Sequence, residues 1–275
     1  MLTEQTFDTG VVAINYAEGP RAGPPLVLLH GVGSRWQVFL TMTPVLTQRW
    51  HVAAVDLRGH GRSGRVLGRY GVMDYAGDVI ALIRHLDEGP AVVLGHSLGA
   101  MVAIGVAAEA PNLVRAVVLE DPPLGAFGSV PFTDRPEHAR FVATRDMARA
   151  GHSFDELVRL LTLEMPGQDG VRIRARAGSV SQIDADVFTL IIENRATDDY
   201  DLADRLRRTG CPTLLVQGNE ALGGALADDE ADWAVSLLRQ GLLVRMPEIG
   251  HQIHADPGAA SVRFRQLVTD FLETV

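Results

Sequence analysis

The sequence predicts an α/β protein whose single sheet is mostly parallel and is covered by helices on both faces. Short apolar runs, bounded by glycine, proline or polar residues, alternate with longer stretches in which apolar residues recur at helical spacing. Strands that alternate with helices in this way form parallel sheets. The 275 residues, of which 47% are hydrophobic, are enough for one well-buried core.

The strands are predicted from their apolar content and their boundaries. The first alternates polar and apolar residues, whereas the later ones are continuous apolar runs, as expected for strands buried on both faces. In chain order the predicted strands are Thr6–Tyr16, Pro25–Leu29, Val52–Val55, Ala91–Leu94, Val114–Leu119, Thr213–Val216 and Leu242–Met246.

The helices are predicted from apolar spacing and from signals at their ends. The helix over 73–86 has a regular apolar face and Asp74 as its N-cap, and the alanine-rich helix from Leu98 to about Glu109 is ended by Pro111. A short helix over 39–46 and a final amphipathic helix over 259–275 complete the predicted core.

Between Pro122 and about Thr209 the pattern changes to successive helical stretches without a convincing strand. The sequence therefore predicts two units: a core formed by residues 1–121 and 210–275, and a helical cap formed by residues 122–209. Because the insertion falls between two core strands, we expect the cap above the carboxyl ends of the strands. Open α/β sheets bind their ligands at this edge.

The charge and the basic residues exclude several function classes. The chain has 25 basic and 34 acidic residues, so its formal charge of −9 argues against nucleic acid or an anionic membrane as a partner. All the basic residues are arginine, because the sequence contains no lysine. A Schiff-base lysine, a phosphate-binding lysine and a Ser-Lys dyad are thereby excluded.

The cellular compartment is predicted from what the sequence lacks. Cys211 is the single cysteine, so no internal disulfide can form. The first residues lack the features of a secretory signal, and no apolar run reaches the roughly 20 residues of a membrane span. We expect a cytoplasmic monomer or homodimer without a membrane partner.

The segment Gly95-His96-Ser97-Leu98-Gly99 is placed where a predicted strand ends and a predicted helix begins. A serine framed by glycines at such a turn is the pattern of a nucleophile elbow, in which the small glycines let strand and helix pass closely. The N-terminus of the helix faces the same point and favours negative charge there. Ser97 is therefore the predicted nucleophile.

A serine nucleophile needs a base and donors for the oxyanion. His251 is the predicted base, because it follows the last predicted strand and comes late in the chain. The backbone N–H groups of Val32 and Leu98 are the predicted oxyanion donors, with Gly33 as an alternative to Val32. His251 also has His254 and Asp256 nearby, but no second ligand cluster accompanies them, so we predict neither a metal nor another cofactor.

Four motifs together resemble the α/β-hydrolase fold superfamily. They are His30-Gly31, the segment Asp56-Leu57-Arg58-Gly59-His60-Gly61-Arg62-Ser63-Gly64, the segment Gly95 to Gly99, and Gly250-His251. The resemblance implies a mostly parallel central sheet flanked by helices, with a helical cap inserted after the sixth strand. It is specific for the fold and weak for the substrate, because similar proteins include esterases, lactonases, C-C bond hydrolases and hormone receptors.

A serine nucleophile and its histidine base are usually completed by a carboxylate that orients the histidine. The position of this acid is where this chain departs from the pattern of similar proteins. They commonly carry it shortly after the strand predicted at 213–216, where this chain offers only Glu220. Other members of the superfamily take it from the end of the strand after the elbow helix, where Glu120 and Asp121 precede two prolines. We favour Asp121 over Glu220 and Glu120, although spacing alone does not decide between them.

The predicted function is hydrolysis of a small-molecule ester or lactone through an acyl-enzyme. Trp36 is the predicted pocket residue, with further candidates among the aromatic residues Phe39, Phe127, Phe132 and Phe141. The alternatives are a C-C bond hydrolase of diketones, in which Arg35 or an arginine of the cap would bind a second carboxylate, and a hydrolase-like ligand receptor.

Overall fold

The computed structural model describes residues 2–127 and 132–275, without the side chains of residues 126 and 127. In these ranges, eight strands form one sheet in the order β1-β2-β4-β3-β5-β6-β7-β8. The strands are β1 (Thr3–Asp8), β2 (Ala13–Glu18), β3 (Pro25–Leu29), β4 (His51–Val55), β5 (Ala91–His96), β6 (Val114–Glu120), β7 (Thr213–Gly218) and β8 (Gly241–Met246).

The neighbouring strands from β4 to β8 are parallel. Strand β2 pairs antiparallel with both of its neighbours, β1 and β4. The prediction that Thr6–Tyr16 forms one strand is wrong. This stretch contains parts of two strands, and Thr9 turns the chain between them by accepting the Val12 N–H with its hydroxyl. The helical insertion consequently follows the sixth strand.

Ten α-helices occur in the described ranges. They are α1 (Thr43–Leu46), α2 (Val72–Leu86), α3 (Leu98–Glu109), α4 (His138–Arg149), α5 (Phe154–Glu164), α6 (Gly170–Val180), α7 (Asp186–Ile192), α8 (Leu202–Arg208), α9 (Asp228–Leu237) and α10 (Ala259–Leu272). Short 3-10 helices span Trp36–Thr41, Pro111–Leu113, Leu124–Phe127, Phe132–Asp134 and Glu220–Leu222. The predicted N-cap of α2 is wrong: Gly71 holds that position, and Asp74, three residues on, accepts the Gly71 N–H.

Helices cover both faces of the sheet, as predicted. Alternate residues of each central strand enter different cores: Val27 and Leu29 pack with α2, α3 and α9, whereas Leu26 and Leu28 pack with α1 and α10. Side chains on α3 are buried on all sides, which explains its composition of alanine, valine and glycine. The fold class is thus confirmed. None of the helices in the described ranges has the length and hydrophobicity that a membrane crossing requires.

The segment between β6 and β7 forms helices α4 to α8 and no strand in its described part. Three of these helices share a separate small core, which includes Met147, Leu157, Leu161, Ile173 and Ala177. The division into a core and a cap remains a prediction. It agrees with this separate cluster, because a unit with its own buried apolar contacts packs partly independently of the sheet.

Two buried histidines connect the loops that follow β3 and β4. His30 accepts the Leu57 N–H on Nε2 at 3.1 Å and donates from Nδ1 to the Gly31 carbonyl at 2.8 Å. His60 accepts the Gly33 N–H at 3.1 Å and donates to the Arg58 carbonyl at 2.9 Å. Each ring therefore needs one protonated and one unprotonated nitrogen. Burial lowers the pKa of His30 to about 4 and that of His60 to about 3.

We expect Gly99→Ala to destabilise the fold by about 3 kcal/mol, the upper end for overpacking. A Cβ on Gly99 would lie 2.2 Å from the Leu29 carbonyl oxygen, which is backbone and cannot rotate away. Gly77→Ala is the control, because Gly77 is exposed within α2 and nothing lies within 4 Å of an added Cβ. That variant should gain about 0.5–1 kcal/mol in urea unfolding. Equal stability of the two variants would contradict the prediction.

We expect the free energy of unfolding to fall as the pH drops from about 6.5 towards 4. The unfolded chain protonates its histidines near pH 6.5, whereas buried His60, with a pKa of about 3, stays neutral in the folded protein. The unfolded state therefore binds more protons in this pH range. The free energy of unfolding should fall by about 1.4 kcal/mol per pH unit for each such histidine. In urea titrations from pH 7 to 4.5, His60→Gln should weaken this dependence, and His85→Gln, at an exposed histidine, should retain it. An unchanged slope in His60→Gln would count against the explanation.

Candidate active site

Ser97 occupies the turn between β5 and α3 in a strained backbone conformation. Its φ of 54° and ψ of −118° place it outside the usual regions for a residue with a side chain. The turn is tight because a Cβ on Gly95 would lie 2.1 Å from the Gly99 carbonyl oxygen. The Ser97 N–H donates to the Glu120 carbonyl at 2.9 Å, which fixes the turn to the next strand.

His251 lies between Ser97 and Asp121. Its Nε2 is 2.9 Å from Ser97 Oγ, and its Nδ1 is 2.7 Å from Asp121 Oδ2. The carboxylate can only accept, so Nδ1 carries the proton and Nε2 is left to accept the serine hydroxyl proton. The His251 side chain is 26% exposed and the Asp121 side chain is fully buried. The structure thus brings three of the predicted site residues into one hydrogen-bonded chain.

Asp121 follows β6 directly and is held by backbone donors. Its φ of 45° is in the left-handed region, and its own N–H donates to the Val216 carbonyl at 2.8 Å. Oδ1 accepts the Gly218 N–H at 2.9 Å, and Oδ2 accepts the Ala225 N–H at 2.7 Å in addition to the His251 ring. These donors fix the direction of the Asp121 carboxylate.

The two alternative acids have other surroundings. Glu220 is exposed in the 3-10 helix after β7 and makes no hydrogen bond to His251. Glu120 is fully buried, but its carboxylate binds the ring and the backbone N–H of His254. The geometry therefore selects Asp121 as the candidate acid.

The predicted oxyanion donors lie beside Ser97. An added Cβ on Gly31 would lie 3.1 Å from Ser97 Cβ, so the loop that carries Val32 passes directly over the serine. Leu98 is the first residue of α3, where no helical carbonyl precedes its N–H. The Gly33 N–H is occupied by His60 Nε2, which removes the alternative donor. Val32 and Leu98 remain the proposed pair.

A cavity of about 520 Å³ opens at Ser97 and His251. The insertion contributes residues from α4, α5, α6 and α7 to its wall. The principal members are Arg140, Phe141, Thr144, Leu161, Glu164, Met165, Arg176 and Phe188. The cavity has the size expected for a small-molecule site. None of these positions belongs to a sequence motif, and only Phe141 was a candidate from the sequence.

The predicted pocket residue Trp36 does not line this cavity. Its indole N–H donates to Glu4 at 2.8 Å and its backbone N–H to Asp56 at 2.9 Å, so the ring is turned towards β1. Phe39 and Phe132 are buried in the cores instead, and the side chain of Phe127 lies outside the described part. Arg35 is also absent from the cavity wall, because its guanidinium binds Gln182 at 2.9 Å.

Arg176 contacts the loop after β3 that contains Val32 and Gly33, here called the oxyanion loop. Its Nη1 donates to the Gly33 carbonyl at 3.1 Å and its Nη2 to the Thr144 hydroxyl at 3.0 Å. Within the described ranges, no carboxylate lies at ion-pairing distance from this guanidinium. Burial lowers the pKa of Arg176 to about 10, so it remains charged at neutral pH. Glu164, which also lines the cavity, acts on Arg176 only at longer range, so the guanidinium has no direct ion pair.

One group of potential metal ligands occurs in the described ranges. It consists of His96, Glu120 and His254, whose donor atoms lie within 4.8 Å of one another. These side chains already bind one another or the backbone: Glu120 binds His254, and His96 Nε2 donates to the His251 carbonyl. His251, His254 and Asp256 do not form such a group. The Nε2 atom of His254 is buried and has no hydrogen-bond partner in the described part of the chain.

Comparison with known proteins identifies the family. A family model described as alpha/beta hydrolase fold matches residues 24–220. The chain is 34% identical over 177 residues to the 2-(acetamidomethylene)succinate hydrolase of Mesorhizobium japonicum, over 62% of this chain and 60% of the relative. It is 31% identical to the pyrrolizixenacetamide deacetylase of Xenorhabdus hominickii over 201 residues, which are 70% of this chain and 72% of that protein.

A solved structure of E-2-(acetamidomethylene)succinate hydrolase superposes on the whole molecule. The TM-score is 0.76 at 27% identity, covering 99% of this chain and 100% of that one. The sequence match, in contrast, spans only 60% of the length of the curated Mesorhizobium protein. The matched family model, the curated relatives and the sheet topology agree: the chain belongs to the α/β-hydrolase fold family.

Proposed function

We propose that the chain is a serine hydrolase that cleaves the acyl bond of a small substrate through an acyl-enzyme. One observation carries this proposal: Ser97, His251 and Asp121 form a continuous hydrogen-bonded chain at the wall of the cavity. A nucleophile, a base and an orienting acid in this order are the geometry that activates a serine hydroxyl.

In the proposed mechanism, Ser97 Oγ attacks the substrate carbonyl while His251 Nε2 takes the hydroxyl proton. Asp121 stabilises the imidazolium through its bond to Nδ1. The N–H groups of Val32 and Leu98 stabilise the oxyanion. His251 returns the proton to the leaving group, and water then attacks the acyl-enzyme by the same route in reverse.

An ester or lactone is the simplest substrate for this geometry, and an amide is the second candidate. The names of both curated relatives contain an acetamide group, which favours an N-acyl bond. The C-C bond alternative uses the same three residues and is tested by adding a diketone to a substrate panel that contains an ester, a lactone and an N-acyl amide. A receptor without turnover would leave every member of that panel intact.

We further propose that the substrate carries a carboxylate. Arg176 donates to the Gly33 carbonyl and forms no direct ion pair in the described ranges, and a half-buried cation is stabilised by such a pair. An anionic group on the substrate would complete this pair next to the reacting carbonyl. The succinate in the name of the first relative fits this chemistry.

We expect Ser97→Ala to abolish turnover of an activated aryl ester and Asp121→Asn to lower kcat by about 10⁴-fold. The asparagine keeps the size of the side chain but favours the wrong tautomer of His251. Both are measured by release of nitrophenol, with thermal unfolding as a check on folding. Glu220→Gln is the matched control for the acid and should retain wild-type rates. A large loss in Glu220→Gln with little change in Asp121→Asn would reverse the assignment.

We expect Arg176→Gln to lower kcat/KM for mono-4-nitrophenyl succinate by roughly 30- to 100-fold, while 4-nitrophenyl butyrate changes only a few-fold. The two esters differ chiefly in the terminal carboxylate, so the ratio isolates the charge-assisted contact. Arg174→Gln, at an exposed arginine of α6 outside the cavity wall, is the control. Parallel losses for both esters would show that Arg176 does not read the carboxylate.

A further inference from the structure

At the carboxyl ends of the neighbouring strands β5 and β6, the last residue of each strand and the residue after it form a doublet. The two doublets are His96-Ser97 and Glu120-Asp121. His96 and Glu120 pair in register as the last residues of their strands. Successive side chains along a strand point to opposite faces. The side chain of His96 is therefore directed differently from that of Ser97, and the side chain of Glu120 is directed differently from that of Asp121. Both preceding residues, His96 and Glu120, contact the loop that carries His251.

Glu120 holds this loop three residues after His251. Its Oε1 accepts the His254 N–H at 2.9 Å, and both carboxylate oxygens lie 2.8 Å from His254 Nδ1. The Glu120 side chain is fully buried and that of His254 is 2% exposed. Burial alone would raise the pKa of Glu120, but the adjacent His254 and the hydrogen bonds from its ring and backbone lower it below its ordinary value. The contact is therefore a hydrogen bond to a charged carboxylate from which solvent is excluded.

His96 holds the loop at His251 itself. Its Nε2 donates to the His251 carbonyl at 2.9 Å, and its ring centroid lies 4.6 Å from that of His251 and 4.9 Å from that of His254. Burial lowers the pKa of His96 to about 3, so the ring is neutral and can donate only once. The segment 251–254 is thus fixed at both ends by the residues that precede Ser97 and Asp121.

We propose that Glu120, His254 and His96 are positioning residues that fix the His251 ring between Ser97 and Asp121. The segment after β8 contains no regular secondary structure from 247 to 258, so side-chain contacts must set its position. The His251 ring must satisfy two hydrogen bonds at once, and a displacement of about 1 Å can cost roughly 100-fold in rate. The kinetic consequence rests on the proposed serine hydrolase function.

The test uses Glu120→Gln and His254→Phe in the full chain. The glutamine keeps an acceptor for the His254 N–H but removes the charge and the second oxygen that faces the ring. The phenylalanine keeps the backbone contact and removes only the ring contact. We expect each variant to lower kcat, and the rate at which a fluorophosphonate labels Ser97, by roughly 10- to 100-fold, with little change in KM.

His51→Gln is the matched control. His51 is also a fully buried histidine bound to carboxylates, at 2.6 Å from Glu88 and 2.9 Å from Glu18. It begins β4, at the end of the sheet opposite to Ser97. This variant should lose stability in urea unfolding without slowing the labelling of Ser97.

A second readout does not depend on activity. The Nδ1 proton of His251, bound to Asp121, should give a downfield proton NMR signal that Asp121→Asn abolishes and that Glu120→Gln shifts or broadens. Wild-type labelling rates and an unchanged signal in folded Glu120→Gln and His254→Phe would overturn the positioning role. A wild-type chain that neither labels nor hydrolyses any ester would instead refute the hydrolase function, and the NMR comparison would still decide the positioning role.

Discussion

The parallel pairing of β5 with β6 is the constraint on which the site depends. It sets His96 opposite Glu120, so that the next residues, Ser97 and Asp121, leave the sheet side by side. The Ser97 N–H binds the Glu120 carbonyl and thereby couples the two turns. Both residues have positive φ, a conformation that costs of order 1–3 kcal/mol and persists only where the surroundings enforce it. The regular ladder thus positions two irregular turns.

The sequence predicted the parts of the fold that local patterns control. The strand Pro25–Leu29 and the helix Leu98–Glu109 have the predicted bounds, because their apolar runs and end signals are unambiguous. Ser97 and His251, which remain the predicted nucleophile and base, could be proposed from the sequence because each follows a predicted strand. The stretch Thr6–Tyr16 was misread because its alternation continues through a turn that only the Thr9 contacts reveal.

The remaining residues of the candidate site could not be predicted, because local sequence patterns do not reveal the directions of their side chains. Glu120 and Asp121 are adjacent and equally buried, and only the turn at Asp121 directs one to His251 and the other to His254. Trp36 follows the oxyanion loop, but a hydrogen bond to Glu4 turns it away from the cavity. Arg176 lies in a helix without a motif and reaches the site by tertiary packing alone.

Two adjacent buried carboxylates repel each other, and each needs hydrogen-bond donors in place of water. Here each is compensated separately: Asp121 accepts from Gly218, Ala225 and His251, and Glu120 accepts from the ring and the backbone of His254. Both compensating histidines come from one loop, three residues apart. The hydrogen bonds of the Glu-Asp doublet therefore stabilise the loop conformation in which His251 faces Ser97. The cost of burying two carboxyl groups at the end of β6 is offset by the contacts that hold His251 in place.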